Sequence, residues 1–365
     1  MVGVMFVALL AGVSLLGAAS TPGNTDFKAK WADWLRAHHA SFVVNPLERW
    51  YYSAQAPARG GRPQALNVVP PAAVDPQGGV RRSNHLPAPT SVPLVVSPAL
   101  TAEGQWQPTG PLISGHPGMY VAQYRADTSY TSQITTAVWM DPTVLRLRLV
   151  AGAQEPSGAW TLPPSLSGPA AARAVAAFNG GFRFQDAQGG FYLDGRTAVP
   201  LQAGAASIVI SKDGQVDVGA WGREVSMGPD VVAVLQNLVP LVDGGQIAPE
   251  ATYHDRHIWG ATLGASTVVA RSAVGVTASG AVVYVAGPAL TAKTLAEALQ
   301  RGGAVQAMTL DLNPEWVTFS LFSHPNLLDL TQVDAAKLYP QMQRPATRYL
   351  GPTSESRDFF SVSTS

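Results

Sequence analysis

From Met119 onward the chain is built from short apolar runs with the two-residue period of strands, interrupted by turns that contain glycine. The runs "MYVAQYRAD", "TTAVWMD" and "VLRLRLVAG" come first, and their β-branched, leucine and aromatic positions suit half-buried strands. Two later segments, "ASIVISKDGQVDVG" and "RSAVGVTASGAVVYVAG", each place a glycine turn between alternating β-branched residues. Both read as hairpins. Between them, "PDVVAVLQNLVPLVDGG" fits either a short helix or a buried strand. The segment "LTAKTLAEALQRGG" breaks the strand rhythm. Thr291 suits an N-cap, Leu295, Ala298 and Leu299 form one apolar face, and Gly302 suits a left-handed stop. It feeds "AVQAMTLDLNPEW", a strand that runs out into a polar turn. Hairpins with a few interspersed helices predict an α+β fold: an antiparallel, hairpin-rich twisted sheet with a few packed helices.

The ends follow other rules. Residues 1–20, "MVGVMFVALLAGVSLLGAAS", are uncharged and apolar over the length that spans a bilayer core, which predicts an N-terminal transmembrane or signal helix. No basic residue precedes the run, and the nearest ones, Lys28, Lys30 and Arg36, follow it. Read by that charge bias alone, the body would stay in the cytoplasm. A basic leader ahead of residue 1 would reverse the orientation, and the expectation is a cell-membrane protein with an extracytoplasmic body, or a secreted one if the segment is cleaved. Residues 21–55 hold Phe27, Trp31, Trp34 and Leu35 at helical spacing, an apolar stripe suited to a membrane surface or to the main body. Residues 56–118 are dense in Pro and Gly and read as an extended arm, 119–350 as the folded domain, and 351–365 as a flexible tail.

Composition narrows the function. Of the 365 residues, 46% are hydrophobic and 13% charged, so a packed body is expected rather than disorder. The 24 basic and 24 acidic side chains balance, which gives no electrostatic basis for a nucleic-acid partner. The absence of Cys excludes disulfides, thiolate nucleophiles and Cys-ligated metals.

Four polar clusters stand out in this apolar chain. The stretch "AAFNGGFRFQDAQGGF" holds Asn179, Gly180, Gly181 and Arg183. Asn-Gly between apolar residues is a tight-turn signal, with both central positions favouring φ > 0; the same backbone can also approach a ligand closely. Arg271 opens "RSAVGV". "LDLNPEW" holds Asp311, Asn313 and Glu315 at the end of an apolar strand, where two carboxylates could divide acid and base work. Asp311 and Asn313 equally suit a turn ahead of Pro314. In "YHDRHIW", His254 and His257 are one helical turn apart, but no third ligand lies nearby and a surface loop fits as well. No nucleotide-type phosphate loop, Gly-x-Ser-x-Gly elbow or His-Glu-x-x-His helix is present.

The order of these segments resembles the phosphodiester glycosidase family, which includes the enzyme that uncovers mannose 6-phosphate and bacterial exopolysaccharide-related proteins. The resemblance covers roughly residues 119–325. The family's Asn-Gly-Gly motif falls on Asn179, Gly180 and Gly181, and its Arg-Thr-Ala-hydrophobic-Gly motif on Arg271, Ser272, Ala273, Val274 and Gly275. Its Leu-Asp-Gly-Gly-Gly-Ser motif falls on Leu310 and Asp311, then breaks: Leu312, Asn313, Pro314 and Glu315 stand where the family has glycines. That version, with the front end "WADWLRAHHASFVVNPLERWYYS", resembles an actinobacterial membrane-anchored subgroup. The resemblance implies a hydrolase acting on the anomeric sugar–phosphate bond of a cell-envelope carbohydrate. In it Asp311, Arg271 and Glu315 would be catalytic, and Asn179, Gly180, Gly181, Arg183 and Asn313 would bind substrate. No cofactor is required and no metal site is expected, although a divalent cation on Asp311 is compatible. The alternative is a non-catalytic envelope module that binds glycan or phosphoglycan in the same cleft.

Overall fold

A computed structural model describes residues 12–20, 57–74, 85–253, 255–260, 267–325, 332–352 and 354–364, with single positions 27, 30, 31, 34, 35, 38–40, 44, 46 and 329. Its strands, in chain order, are β1 (Ala73–Val74), β2 (Gln107–Ile113), β3 (His116–Tyr124), β4 (Thr135–Met140), β5 (Leu145–Val150), β6 (Ala174–Asn179), β7 (Phe191–Leu193), β8 (Arg196–Val199), β9 (Ala206–Ser211), β10 (Val216–Ala220), β11 (Val231–Gln236), β12 (Pro240–Asp243), β13 (Gln246–Ile247), β14 (Val269–Thr277), β15 (Val282–Leu290), β16 (Ala304–Leu312), β17 (Phe319–Ser323), β18 (Asp334–Lys337) and β19 (Phe359–Thr364). The helices of the body are few: α1 (Gly168–Arg173), α2 (Phe184–Ala187), α3 (Arg256–Trp259) and α4 (Ala292–Arg301).

The strands form one sheet in the order β1-β2-β3-β4-β15-β14-β16-β12-β13, a second in the order β10-β9-β11-β7-β8 and a third in the order β18-β17-β6-β19-β5. The pairings are antiparallel except for β1 with β2. One apolar core joins all three sheets through Val138, Val274 and Met308 of the first, Ile208 and Leu235 of the second, and Phe178, Phe319 and Phe360 of the third. The other face of the first sheet is covered by α4, where Leu295 and Leu299 meet Ala273, Val283 and Val285. Burial on both faces explains why β15 reads as an unbroken apolar run, whereas β5, "LRLRLV", alternates.

Both expected hairpins form, as β9–β10 and β14–β15. The ambiguous segment resolves into two strands, β11 and β12, which belong to different sheets. Helix α4 starts at Thr291, whose hydroxyl accepts from Thr294 N–H in a capping box. Its stop lies one residue later than expected: Gly302 stays helical at φ −72°, and Gly303 takes the left-handed position at φ +95°.

Two expectations about the ends change. The segment read as a flexible tail ends in β19, an interior strand paired to both β5 and β6. Its serines and threonines disguised two apolar faces, Phe360 and Val362 on one and Phe359 on the other, all buried. The Pro/Gly-rich arm stops earlier than expected, because β2 and β3 lie across its end. Strand β2 tolerates Pro108, Gly110 and Pro111 because its register shifts between Thr109 and Leu112 and its outer neighbour is the two-residue β1. Residues 12–19 are helical, but no helix among the described residues is long and apolar enough to cross a membrane. Residues 1–11, and most of 21–55, lie outside the described residues.

Removal of residues 359–365 should abolish the cooperative thermal transition, measured by circular dichroism, since β5 and β6 lose the strand between them. The milder Phe360→Ala should destabilise by about 3–5 kcal/mol and leave the transition cooperative.

Candidate functional site

The third sheet meets the first at the C-terminal end of β6. There the Asn179 side chain is 6% exposed and its amide is fully engaged. Oδ1 accepts from Thr318 N–H at 3.1 Å, from the Tyr284 hydroxyl at 3.2 Å and from Ser272 Oγ–H at 3.3 Å. Nδ2 donates to Ser272 Oγ and to the Gly180 carbonyl, both at 3.0 Å. Ser272 Oγ in turn accepts from Asp311 N–H at 3.2 Å. Asn179 and Asp311 are therefore joined through one hydroxyl on β14.

Asp311 sits where β16 carries an irregularity: Arg271 faces Leu312, but Ala273 faces Thr309. The bulge turns the Asp311 carboxylate toward the Asn179 corner, as bulges re-aim side chains at sheet rims. Oδ1 accepts Leu312 N–H at 2.7 Å, and Oδ2 lies 2.9 Å from Nη2 of Arg357. The same guanidinium donates to the Gly181 carbonyl and lies over the Trp316 ring, 4.7 Å from its centroid. Burial pushes the Asp311 carboxyl up to about 6 against the lowering field of Arg357. Next in the chain, Asp358 accepts Gly181 N–H through Oδ2 at 3.3 Å, and burial pushes its carboxyl up to about 7.

The Asn-Gly-Gly turn differs from its expected form. Neither Gly180 nor Gly181 has positive φ. Glycine is required at 180 by crowding: a Cβ there would lie 1.8 Å from Asp358 Oδ2. The Gly180 and Gly181 amides donate to the Asp358 carbonyl and carboxylate, so this backbone faces Asp358 in the free protein.

Arg271 is on the adjacent strand but points to the opposite face from Ser272, toward α4. Its Nε donates to the Leu290 carbonyl at 3.0 Å and its Nη1 to the Trp259 carbonyl at 3.5 Å. It is 4% exposed, and burial lowers its pKa to about 10. Among the described residues it has no carboxylate partner, so it is a buried cation whose charge is met by backbone dipoles alone. It forms neither a hydrogen bond nor an ion pair with Asn179 or Asp311.

Glu315 is committed to Arg344, whose Nη2 lies 3.3 Å from Oε2 and whose Nε donates to its carbonyl. Asn313 takes the left-handed conformation, φ +74°, and its carbonyl accepts from Trp316 and Val317 N–H. The turn reading of Asn313 is thus realised, beside Asp311 rather than on a shared strand face. Arg183 precedes α2, and its carbonyl accepts from Asp186 and Ala187 N–H. His254 lies outside the described residues, and among those described no group of three His, Asp or Glu forms a metal site. A cavity of about 490 Å³ lies at the far end of the third sheet, between Pro70, Pro111, His324 and Asp334, away from these residues.

Sequence reasoning missed Arg357, Asp358, Tyr284 and Thr318. Arg357 and Asp358 lay in the supposed tail; the signal was a charged pair directly ahead of an apolar run, the mirror of Asp311 at the end of one. Tyr284 carried no motif, and its role needs the third dimension.

This antiparallel framework sets an acid–guanidinium pair against an Asn-Gly-Gly corner. Residues 172–311 match the family model for phosphodiester glycosidase, a span that begins before Asn179 and ends on Asp311. Among solved structures it is similar to the catalytic domain of zebrafish N-acetylglucosamine-1-phosphodiester alpha-N-acetylglucosaminidase auto-inhibited by its pro-peptide, with 17% identity over 72% of this chain and 88% of that one and a TM-score of 0.43. It is also similar to a hypothetical protein from Synechocystis, with 14% identity over 71% and 64% of the two chains and a TM-score of 0.39. No curated protein matches the chain in sequence.

The two buried carboxyls fix a pH dependence. Their folded values, about 6 and about 7, lie above the ordinary 3.8, so the folded state binds more protons across that window. Their stabilisation is complete below about pH 4 and is lost as pH rises through 6 to 7. The melting temperature of the native chain should therefore fall between pH 4 and pH 7, and the slope should be shallower in Asp311→Asn, as read by differential scanning calorimetry.

Proposed function

We propose that the protein is a hydrolase that cleaves the anomeric carbon–oxygen bond of a sugar-1-phosphodiester of the cell envelope. The observation that carries the reading is the Asp311–Arg357 pair set against the Asn179-Gly180-Gly181 corner, of which Asp311 and the corner lie inside the span that matches the family model. In the cleavage, water adds to the sugar C1, the C1–O bond breaks, and the phosphate monoester leaves with the bonding electrons. A phosphate leaves with little need of protonation, so a guanidinium near its oxygens supplies much of what a general acid would. Arg357, at the acid itself, is the group for that task, whereas Arg271 is turned to the α4 side of β14. A phosphate that draws Arg357 toward itself leaves Asp311 to stabilise, or to attack, the developing positive charge at C1. Glu315 is the base toward water, steered by Arg344. Asn179 sets the corner, and Asn313 and Arg183 reach toward sugar hydroxyls or phosphate. The reading requires no cofactor, and a divalent cation on Asp311 stays compatible with it. The apolar residues 1–20 support a place at the cell membrane.

A second reading, an envelope module that binds phosphoglycan without turnover, draws on one observation: the family's glycine run is replaced by Leu312-Asn313-Pro314-Glu315, and Glu315 is held by Arg344.

Incubation with a panel of sugar-1-phosphodiesters separates the two. Under the leading reading the native chain releases free sugar, and Asp311→Ala lowers kcat by about 10²–10³-fold, as removal of a group that stabilises transition-state charge does. Saturable glycan binding by the native chain, with no sugar released from any member of the panel, would establish the binding module instead.

A further inference from the structure

Asp358 lies between Arg357 and β19 and is 4% exposed. It holds the corner from beneath. Its carbonyl accepts Gly180 N–H at 3.2 Å, and its Oδ2 accepts Gly181 N–H at 3.3 Å. Contact with Gly180 leaves no room for a Cβ at that position. Its other carboxyl oxygen, Oδ1, is buried and has no hydrogen-bond partner.

The charges around it do not balance if every acid is ionised. Arg357 is the cation at hand, with Nη2 at 2.9 Å from Asp311 Oδ2. Arg348 is committed to Glu355. Glu155 faces Asp358 from the loop whose backbone bridges Arg357, and its field opposes ionisation. Arg357 is thus the close cation of two buried carboxyls, Asp311 and Asp358, while Arg348, paired to Glu355, adds its field at Asp311 and Glu155 opposes ionisation of Asp358. Two fully buried carboxylates cannot both stay ionised on a single cation without a large cost. Asp311 has the close ion pair and a backbone N–H at 2.7 Å. Asp358 has no ion pair that close: its carboxyl meets Gly181 N–H at 3.3 Å and its own backbone N–H, and Oδ1 has no hydrogen-bond partner among the described residues. The proton therefore belongs on Asp358. Placed on Oδ1, it leaves Oδ2 as the acceptor that Gly181 N–H requires.

We propose that Asp358 is a positioning residue of the site, which carries a proton on Oδ1, clamps the Gly180 and Gly181 amides and leaves Arg357 to Asp311. Its catalytic consequence rests on the glycosidase reading; its proton and its clamp do not. Ionisation of Asp358 at alkaline pH would set it in competition with Asp311 for Arg357 and loosen the corner. Turnover should therefore fall on the alkaline side of neutrality.

The test compares the native chain with Asp358→Asn, an isostere of the neutral acid, and Asp358→Ala. Carboxyl carbon NMR of the native protein should show Asp358 protonated at pH 5 and titrating near neutrality. The Gly181 amide proton should move with the same midpoint, and that movement should vanish in Asp358→Asn. On a substrate that is turned over, Asp358→Asn should stay within about threefold of native kcat at pH 5.5 and lose the alkaline fall in kcat/KM. Asp358→Ala should cost about 10²-fold, as loss of positioning does. An Asp358 already ionised at pH 5, a Gly181 amide indifferent to its titration, or an unchanged alkaline fall in Asp358→Asn would each overturn the proposal. Absence of turnover on every substrate would count against the glycosidase reading, and the two NMR measurements would then decide the proton and the clamp.

Discussion

The side-chain amide of Asn179 is the joint on which the molecule depends. Through it β6 of the third sheet is tied to β14 and β15 of the first, by way of Ser272 and Tyr284, and to the turn ahead of β17 by way of Thr318 N–H. All of these groups are buried, where an unsatisfied amide would cost about 1–3 kcal/mol for each lost partner. Their geometry is mutually restrictive: Asn179 Oδ1 accepts from three donors, so a shift of either sheet breaks more than one bond. The joint stands on an aromatic floor. Phe178, the preceding residue, has its ring centroid 5.0 Å from Tyr284 and 5.1 Å from Phe360. The apolar core thus holds the sheets together and the polar joint fixes their register, which is the division of labour expected of a satisfied buried network.

From that joint the charge distribution follows. The chain spends few charges, and several of its arginines are buried where the sheets meet. Arg348 is answered by Glu355, Arg344 by Glu315 and Arg357 by Asp311, whereas Arg271 is answered by carbonyls. A guanidinium without a carboxylate in a dry setting is an incomplete arrangement, and an anion entering near it gains more than it would at the surface. The acids show the opposite excess. Asp311 and Asp358 share the field of Arg357, and burial holds both carboxyls above their ordinary range against it. Among the described residues, two buried acids thus lie beside Arg357, while Arg271 across the strand is met by carbonyls.

Much of this was legible in the sequence because local rules governed it. The hairpins β9–β10 and β14–β15 and the capping box of α4 were readable from alternation and from Thr291. Asn179 and Asp311 were found by their motifs, and the structure joins them through Ser272. What was not legible depends on long-range pairing. Strand β19 reads as a Ser/Thr-rich tail until β5 and β6 are seen on either side of it. Arg357 and Asp358 were lost with that strand. The direction of Arg271 was hidden for a related reason: periodicity put it on a strand beside Asp311, but only the packing of α4 decides which face it serves. The role of Gly180 was misassigned because the sequence cannot separate a glycine needed for its φ from one needed for want of a Cβ.

The departure from the family's glycine run is where local and long-range constraints meet most closely. Leu312 is 2% exposed and joins the cluster under α4, so this position serves the core and leaves no bare backbone for a ligand. It also lies near Gly260, where an added Cβ would come within 3.1 Å of it, so the space that small residues would leave is already filled. Asn313 behaves differently. Its φ of +74° is a left-handed conformation that glycine adopts freely and that Asn tolerates better than most side chains. The backbone path of a glycine is therefore kept at 313 while a side chain is gained. Pro314 then fixes the next φ and removes one donor, which commits recognition at this edge to side chains rather than to amides. A site built this way has fewer backbone donors and more shape than one lined by glycines.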